Sequence, residues 1–323
     1  MRGWLRYAVA VVVVAASLAS GAAAHAAPDP HVPSPGAPGV GDPLYPTLGN
    51  GGYDVRHYDI GFDFDPSTQD FTARTVLRAT AVHALSTFDL DFDGHTVDAV
   101  TVDGRAAAWS RSGREMTVTP ADPVGYRHPF TTVVTYHGNV HDKLVGLSGW
   151  VYPSDGGFAT AVQASRAEGV YPCNDHPSDK ATFTFRLTAP EGWTAAANGV
   201  RTGQSTVDGR TTSTFSMRYP MATELTGMSV TRSTVVTGTG PHGIRLRSYV
   251  PAGTESVYGP IVNESGGQIA WLESQLGARY PFDTYGLQIV RSGYGDALEN
   301  QTLSLFGPGW FTRPTYRTRW CTS

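Results

Sequence analysis

From Tyr53 onward the side chains change character at every second position. Val55, His57 and Asp59 alternate with Arg56, Tyr58 and Ile60, and then Phe62 and Phe64 alternate with Asp63 and Asp65. A period of two sends successive side chains to opposite faces of a strand, so the pattern specifies a half-buried sheet rather than a helix. Further runs of this kind fall at 75–82, 88–92, 116–119, 131–136, 181–188, 211–217 and 227–236. Gly, Asp, Asn and Pro punctuate them at spacings suited to antiparallel pairing. No comparable helical periodicity occurs before residue 254. The expectation is a mainly β domain of stacked antiparallel sheets.

The pattern changes after Thr237-Gly238-Thr239-Gly240-Pro241. One more strand, 244–250, leads into 254–277, where Val257, Ile261, Ile269, Leu272 and Leu276 recur at near-helical spacing. Thr254 is the candidate N-cap, and Pro260 and Gly266-Gly267 predict a kink or break. A strand at 285–290, a Gly-rich loop at 291–295 and a second strand at 297–306 complete the reading. A helix followed by strands at this end reads as the opening of an α/β domain that is cut short. Its apolar face, including Leu287, Ile289, Leu303 and Leu305, is expected to lie exposed.

Arg2 and Arg6, an apolar core at 8–19 and Ala24-His25-Ala26 follow the secretory pattern, which predicts a signal peptide at 1–26 and an extracellular protein. Residues 27–50 are rich in Pro and Gly and are expected to form a flexible linker. The remaining length exceeds what one core usually spans, and divides into a β domain at 51–238 and an incomplete domain start at 239–323. The formal charge is −4, more negative by two once Arg2 and Arg6 are removed. That mild acidity argues against a nucleic-acid partner, and no segment after the leader approaches a membrane span. Two cysteines, Cys173 and Cys321, do not make a disulfide scaffold, and their pairing stays open.

Several chemistries fail on spacing. None of the ten His is followed by Glu, so no H-E-x-x-H helix is present, and the single i,i+4 pair, His137 and His141, flanks the turn-like Gly138-Asn139. Asp89-Leu90-Asp91-Phe92-Asp93-Gly94 begins like a calcium loop but has Val100 where the twelfth-position Glu belongs. It reads instead as a strand with one wet face. Gly146-Leu147-Ser148-Gly149-Trp150 lacks the last Gly of a nucleophile elbow.

Two stretches remain. One runs from Gln163 through Tyr171-Pro172-Cys173-Asn174-Asp175-His176-Pro177-Ser178-Asp179-Lys180-Ala181-Thr182-Phe183, with Ala197-Asn198-Gly199 after the next strand. The other is Asp296-Ala297-Leu298-Glu299-Asn300. Within the first, the two prolines restrict the turn, Asp175 is placed to bond nearby amides, and Lys180 could pair with it. His176 has no second ligand at a usable spacing.

In this order and about 125 residues apart, the two stretches resemble a pair of motifs in the zinc aminopeptidases related to aminopeptidase N and leukotriene hydrolase. The second resembles their G-x-M-E-N motif, with Asp296 in place of Gly and Leu298 in place of Met. The resemblance covers about 52–306. It implies an antiparallel β-saddle or sandwich domain followed by the start of a thermolysin-like α/β catalytic domain, truncated before the zinc motif. It further implies that Glu299 holds the α-ammonium of a peptide substrate, that Ala297, Leu298 and Asn300 line the same site, and that Gln163 reaches in from the β domain to share the amine. A carboxylate supplies the electrostatic part of that contact and a neutral amide only an acceptor. Full-length relatives use zinc, whereas no bound metal and no catalytic residue are expected for this chain. The competing expectation is a non-catalytic secreted β module that binds a peptide or wall component.

Overall fold

The structure, a computed structural model, describes residues 29–311. The leader at 1–26 and Cys321 lie outside the described residues. Alternation from Tyr53 produces the long strand Tyr53–Asp65 at the middle of an eight-stranded sheet. Across that sheet the order is Val200–Val207, Arg210–Ala222, Lys180–Pro190, Tyr53–Asp65, Asp70–Ala81, Pro129–Asn139, Thr96–Val102 and Arg105–Ala106. Neighbours pair antiparallel except Lys180–Pro190, which runs parallel to Tyr53–Asp65.

The inward side chains of this sheet build the main core. Phe62, Phe71, Trp150 and Phe158 meet there at centroid distances of 4.6 to 6.1 Å. Against it lie two four-stranded sheets, one of Ser34–Pro35, Leu85–Asp91, Glu115–Thr119 and Ala108–Ser112, the other of Trp150–Val151, Phe158–Thr160, Met228–Thr231 and Thr194–Ala197.

The Pro/Gly-rich segment does not behave as a flexible tether over its described part. The amide of Ala84 donates to the carbonyl of Pro30 at 2.7 Å, Ser34–Pro35 pairs in parallel with Leu85–Asp91, and Asp42 faces His176 at 3.3 Å. Sheet-edge hydrogen bonds hold it where its own composition has no core to offer.

The expected wet face of 88–92 is likewise absent. Asp89, Asp91 and Asp93 are all buried, because the 172–176 turn and the 143–146 loop cover that side. Asp91 Oδ2 accepts from the Asp175 amide, and Asp93 from the amides of Val145 and Gly146. Asp175 bonds to Thr223 Oγ1 and the Glu168 amide, while Lys180 is exposed.

A fourth sheet collects Ser233–Thr239, Arg245–Pro251, Leu287–Ile289, Ser304–Phe306 and Ala297–Leu298 in that order, with Thr284–Tyr285 beside Arg245–Pro251. The helical stretch breaks into α1 (Glu255–Asn263) and α2 (Ser265–Leu276) at Glu264. Pro260 sits within α1. Thr254 is at the N-cap position, but its hydroxyl donates to the Pro251 carbonyl and caps no helical amide. Gly277, at φ +63°, closes α2 in the left-handed conformation that glycine tolerates.

Leu287, Ile289, Leu303 and Leu305 are buried, contrary to the exposed face expected for them. Val262 of α1 and Phe311 cover Leu287 and Ile289, while Val151, Ala159 and Ala161 of the β domain cover Leu305. The β domain thus caps one side of this sheet, a tertiary contact that strand periodicity does not encode. Among the described residues no helix is long and apolar enough to cross a membrane.

Candidate functional site

The expected single strand at 297–306 is a hairpin. Ala297 and Leu298 pair antiparallel with Phe306 and Leu305, and the chain reverses between them. Two observations account for the reversal: the Asn300 amide bonds back to the Leu298 carbonyl at 3.0 Å, and Thr302 adopts φ +71°. Glu299 therefore sits at the start of the turn, exposed, between buried Leu298 and buried Asn300.

Among the described residues Ala297–Leu298 is the edge of its sheet. An edge strand presents backbone groups to which an extended peptide can add.

Gln163 lies in the turn after strand Phe158–Thr160, where the Arg166 amide bonds to the Val162 carbonyl at 3.0 Å. Its side chain is exposed. Neither Gln163 nor Glu299 makes a side-chain hydrogen bond or ion pair among the described residues.

Two residues before Gln163, Ala161 joins an apolar cluster with Val151, Ala159, Val290, Leu298 and Leu305, against which Tyr294 packs. Leu298 immediately precedes Glu299. One cluster thus ties the root of the Gln163 turn to the root of the Glu299 turn.

The electrostatics of this corner are negative. Burial first, then the charges of Asp296 and Glu299, raise the Tyr294 phenol, and Arg166 works against them. Burial also raises Tyr285, whose hydroxyl lies 3.1 Å from Ser304 Oγ, and the Glu299 charge adds to the effect. Such a field favours a cation such as an ammonium.

Residues without an assigned role in the sequence reading hold the hairpin in place. Asn198 Nδ2 donates to the carbonyls of Gln301 at 2.6 Å and Leu225 at 3.1 Å, and its Oδ1 accepts from the Gly227 amide. The Gly199 amide donates to Thr302 Oγ1 at 2.8 Å. The signal for this clamp was the Ala197-Asn198-Gly199 stretch itself, since an Asn-Gly pair after a strand marks a turn.

No three His, Cys, Asp or Glu side chains gather as a metal site among the described residues. His137 is engaged by Asp98, His141 stacks on Tyr152, and His176 is buried between Ser178 and Asp42. Cys173 is buried with a free thiol, and burial pushes that thiol up, the direction of an inert side chain. Among the described residues a zinc ion has no ligand set.

Residues 55–225 match the Peptidase M1 N-terminal domain, and the chain belongs to that family. It is 27% identical over 145 residues to tricorn protease-interacting factor F2 of Thermoplasma acidophilum, covering 45% of this chain and 18% of that protein. It is 20% identical over 268 residues to human endoplasmic reticulum aminopeptidase 1, covering 77% of this chain and 28% of that one.

The fold superposes on the M1 zinc metallopeptidase of Deinococcus radiodurans with a TM-score of 0.74 and 29% identity, over 87% of this chain and 66% of that one. A variant of that enzyme bound to a Tyr-Ser-Ala substrate matches with a TM-score of 0.74 and 30% identity, over the same shares. The chain thus spans less than a third of these two sequence relatives and about two thirds of the solved structures.

Proposed function

We propose that this chain is the peptide-clasping part of a secreted M1 zinc-dependent aminopeptidase, in which Glu299 holds the free amino terminus of a peptide and Gln163 shares it. Ala297 and Leu298 offer edge-strand backbone to the peptide, and Asn300, whose amide closes on the Leu298 carbonyl, lines the same site. The division is a β domain at 51–238 and the start of a catalytic domain at 239–323, with the hairpin of the second brought to the Gln163 turn of the first.

The observation that supports the reading is the shared cluster of Ala161, two residues before Gln163, and Leu298, next to Glu299. A carboxylate bonding to an ammonium contributes about 1.5–3 kcal/mol, enough to select a free amino terminus over a blocked one. These residues bind peptide rather than cleave it: Glu299 and Gln163 orient a substrate, and neither is placed to activate water.

The direct test is calorimetric titration with a tripeptide and its N-acetylated form. Binding that requires the free amine, with no turnover of an aminoacyl chromogenic substrate and no stoichiometric zinc, is the expected result. Equal affinity for both peptides would sink the clasp, and turnover with bound zinc would sink the claim that hydrolysis lies elsewhere. Export rests on residues 1–26 and is tested by sequencing the amino terminus of protein recovered from culture medium.

A further inference from the structure

Asp91 and Glu115 stand directly opposite each other in the antiparallel pair Leu85–Asp91 and Glu115–Thr119. Like charges in that relationship destabilise a sheet, and Asp91 is completely buried. Asp91 Oδ2 is satisfied, accepting from Asn50 Nδ2 at 3.0 Å and from the Asp175 amide at 2.7 Å. Asp91 Oδ1 and Glu115 Oε2 are both buried without a donor. As a directly opposed pair, the two side chains project from the same face of the two strands, each with an oxygen that lacks a donor among the described residues. A single proton held between them turns a repulsive contact into a hydrogen bond.

We propose that Asp91 and Glu115 share one proton and form a latch that fastens the 172–176 turn to the Leu85–Asp91 and Glu115–Thr119 strands at mildly acidic pH and loosens as the pH rises. Its surroundings do not supply the charge to replace that proton. Asp89 faces Glu115 from the same strand as Asp91 and is held by Thr117. Asp175 and Cys173 face Asp91 from the turn, Glu168 from the short helix before it, and Tyr53 from the large sheet. Arg114 is the one cation acting on the pair among these groups, and its guanidinium is taken up by Glu168.

The direction of the titration agrees with this geometry. Burial, then the charge of Glu115, pushes the Asp91 carboxyl well above the usual range. Burial, then the charge of Asp89, raises Glu115 to about 7. The folded state keeps a proton that the unfolded chain releases near pH 4, so stability contributed by the pair is complete below about pH 4 and is lost as the pH rises through about 7.

The latch acts on a specific segment. Asp91 and Cys173 exchange both backbone hydrogen bonds, at 2.8 and 3.0 Å, and Asp175 Oδ2 holds the amide of Glu168. Ionising both carboxyls therefore strains the turn and the short helix Ala167–Gly169 together.

The test follows the side-chain carbon signal of Glu115 by NMR in the wild-type protein, and the thermal midpoint of wild type and Glu115→Gln between about pH 5 and about pH 8. The Glu115 signal is expected to titrate near neutral pH. Glu115→Gln, whose amide donates to Asp91 at any pH, is expected to show a smaller fall in midpoint across the range. A Glu115 signal that titrates in the ordinary carboxylate range overturns the proposal, as does an unchanged fall in the variant. The NMR titration needs no substitution and decides the matter even where the variant does not fold.

Discussion

Asn198 donates its side-chain amide to the carbonyl of Gln301 at 2.6 Å, so a residue at the end of a β-domain strand grips the turn that presents Glu299. The same amide also reaches the Leu225 carbonyl, and the side-chain oxygen takes the Gly227 amide. Asn198 is completely buried, and removing its amide leaves three backbone groups short of a partner. Each such group costs about 1–3 kcal/mol. Asn198→Ala is therefore predicted to loosen the hairpin: amide exchange at 297–303 accelerates while the strand Lys180–Pro190 stays protected. Unchanged exchange at 297–303 would show that the hairpin holds itself.

Gly199 is constrained by both conformation and space. Its φ is +79°, and a Cβ there would lie 2.1 Å from the Ser216 carbonyl oxygen. Gly199→Ala must move a backbone strand of the eight-stranded sheet, so a loss of at least about 2 kcal/mol is expected from the urea unfolding midpoint. Gly209, also at positive φ but with open space around its Cβ position, is the control and tolerates Ala with a smaller loss.

The β architecture was legible because its strands are amphipathic: Tyr53–Asp65 and Lys180–Pro190 bury alternate side chains, as period two requires. Legibility failed where a third layer intervened. Asp89, Asp91 and Asp93 look solvated in sequence, since nothing local reveals that the 172–176 turn will cover them. Leu303 and Leu305 look exposed for the same reason, their cover being Ala196, Tyr249, Ala159 and Ala161 from distant segments. The turn at 299–303 is hidden in the sequence: apolar Leu298, Leu303 and Leu305 look like one continuous strand, and the left-handed Thr302 carries no composition signal. Gln163 and Glu299 stand out in the sequence through two separated motifs, whereas Asn198 and Thr302 act by hydrogen bonds between distant segments, which neither motif displays.

Glu299 and Gln163 are expected to differ in what they contribute to peptide binding. Glu299→Gln removes a charge from an exposed position, so affinity for a free amino terminus falls about ten- to a hundred-fold with no change in thermal stability. Gln163→Ala removes a neutral acceptor, and the loss is about tenfold at most. Raising the salt concentration narrows the gap between wild type and Glu299→Gln, because a surface charge is screened. A Gln163→Ala loss exceeding that of Glu299→Gln would reverse the assigned roles.

Phe158 tests the junction of layers. It is completely buried and contacts Phe64 and Trp150 at centroid distances of 5.0 and 5.2 Å, packing the strand that leads to Gln163 onto the large sheet. Phe158→Ala leaves a cavity that neighbouring aromatic rings cannot fill without leaving their own contacts. A loss of about 3–5 kcal/mol in chemical unfolding is expected, whereas a loss under about 1 kcal/mol would mean that this core is loosely packed.

Stability should also depend on a carboxyl away from the Asp91 pair. Asp179 accepts from the Val55 amide at 3.3 Å and from Asn174 Nδ2 at 2.6 Å, and burial raises it to about 7. A raised carboxyl binds its proton in the folded state where the unfolded chain has already released it. Stability therefore falls as the pH climbs from the ordinary carboxylate value of about 4 through about 7. One proton sets a ceiling of about 1.4 kcal/mol per pH unit, lowered by the solvent that reaches Asp179. Asp179→Asn removes this proton from the balance, so thermal midpoints plotted against pH between about 4 and about 7 should fall less steeply than in wild type. A slope identical to wild type would place the Asp179 pKa at its ordinary value, and a steeper slope would reverse the direction of its shift.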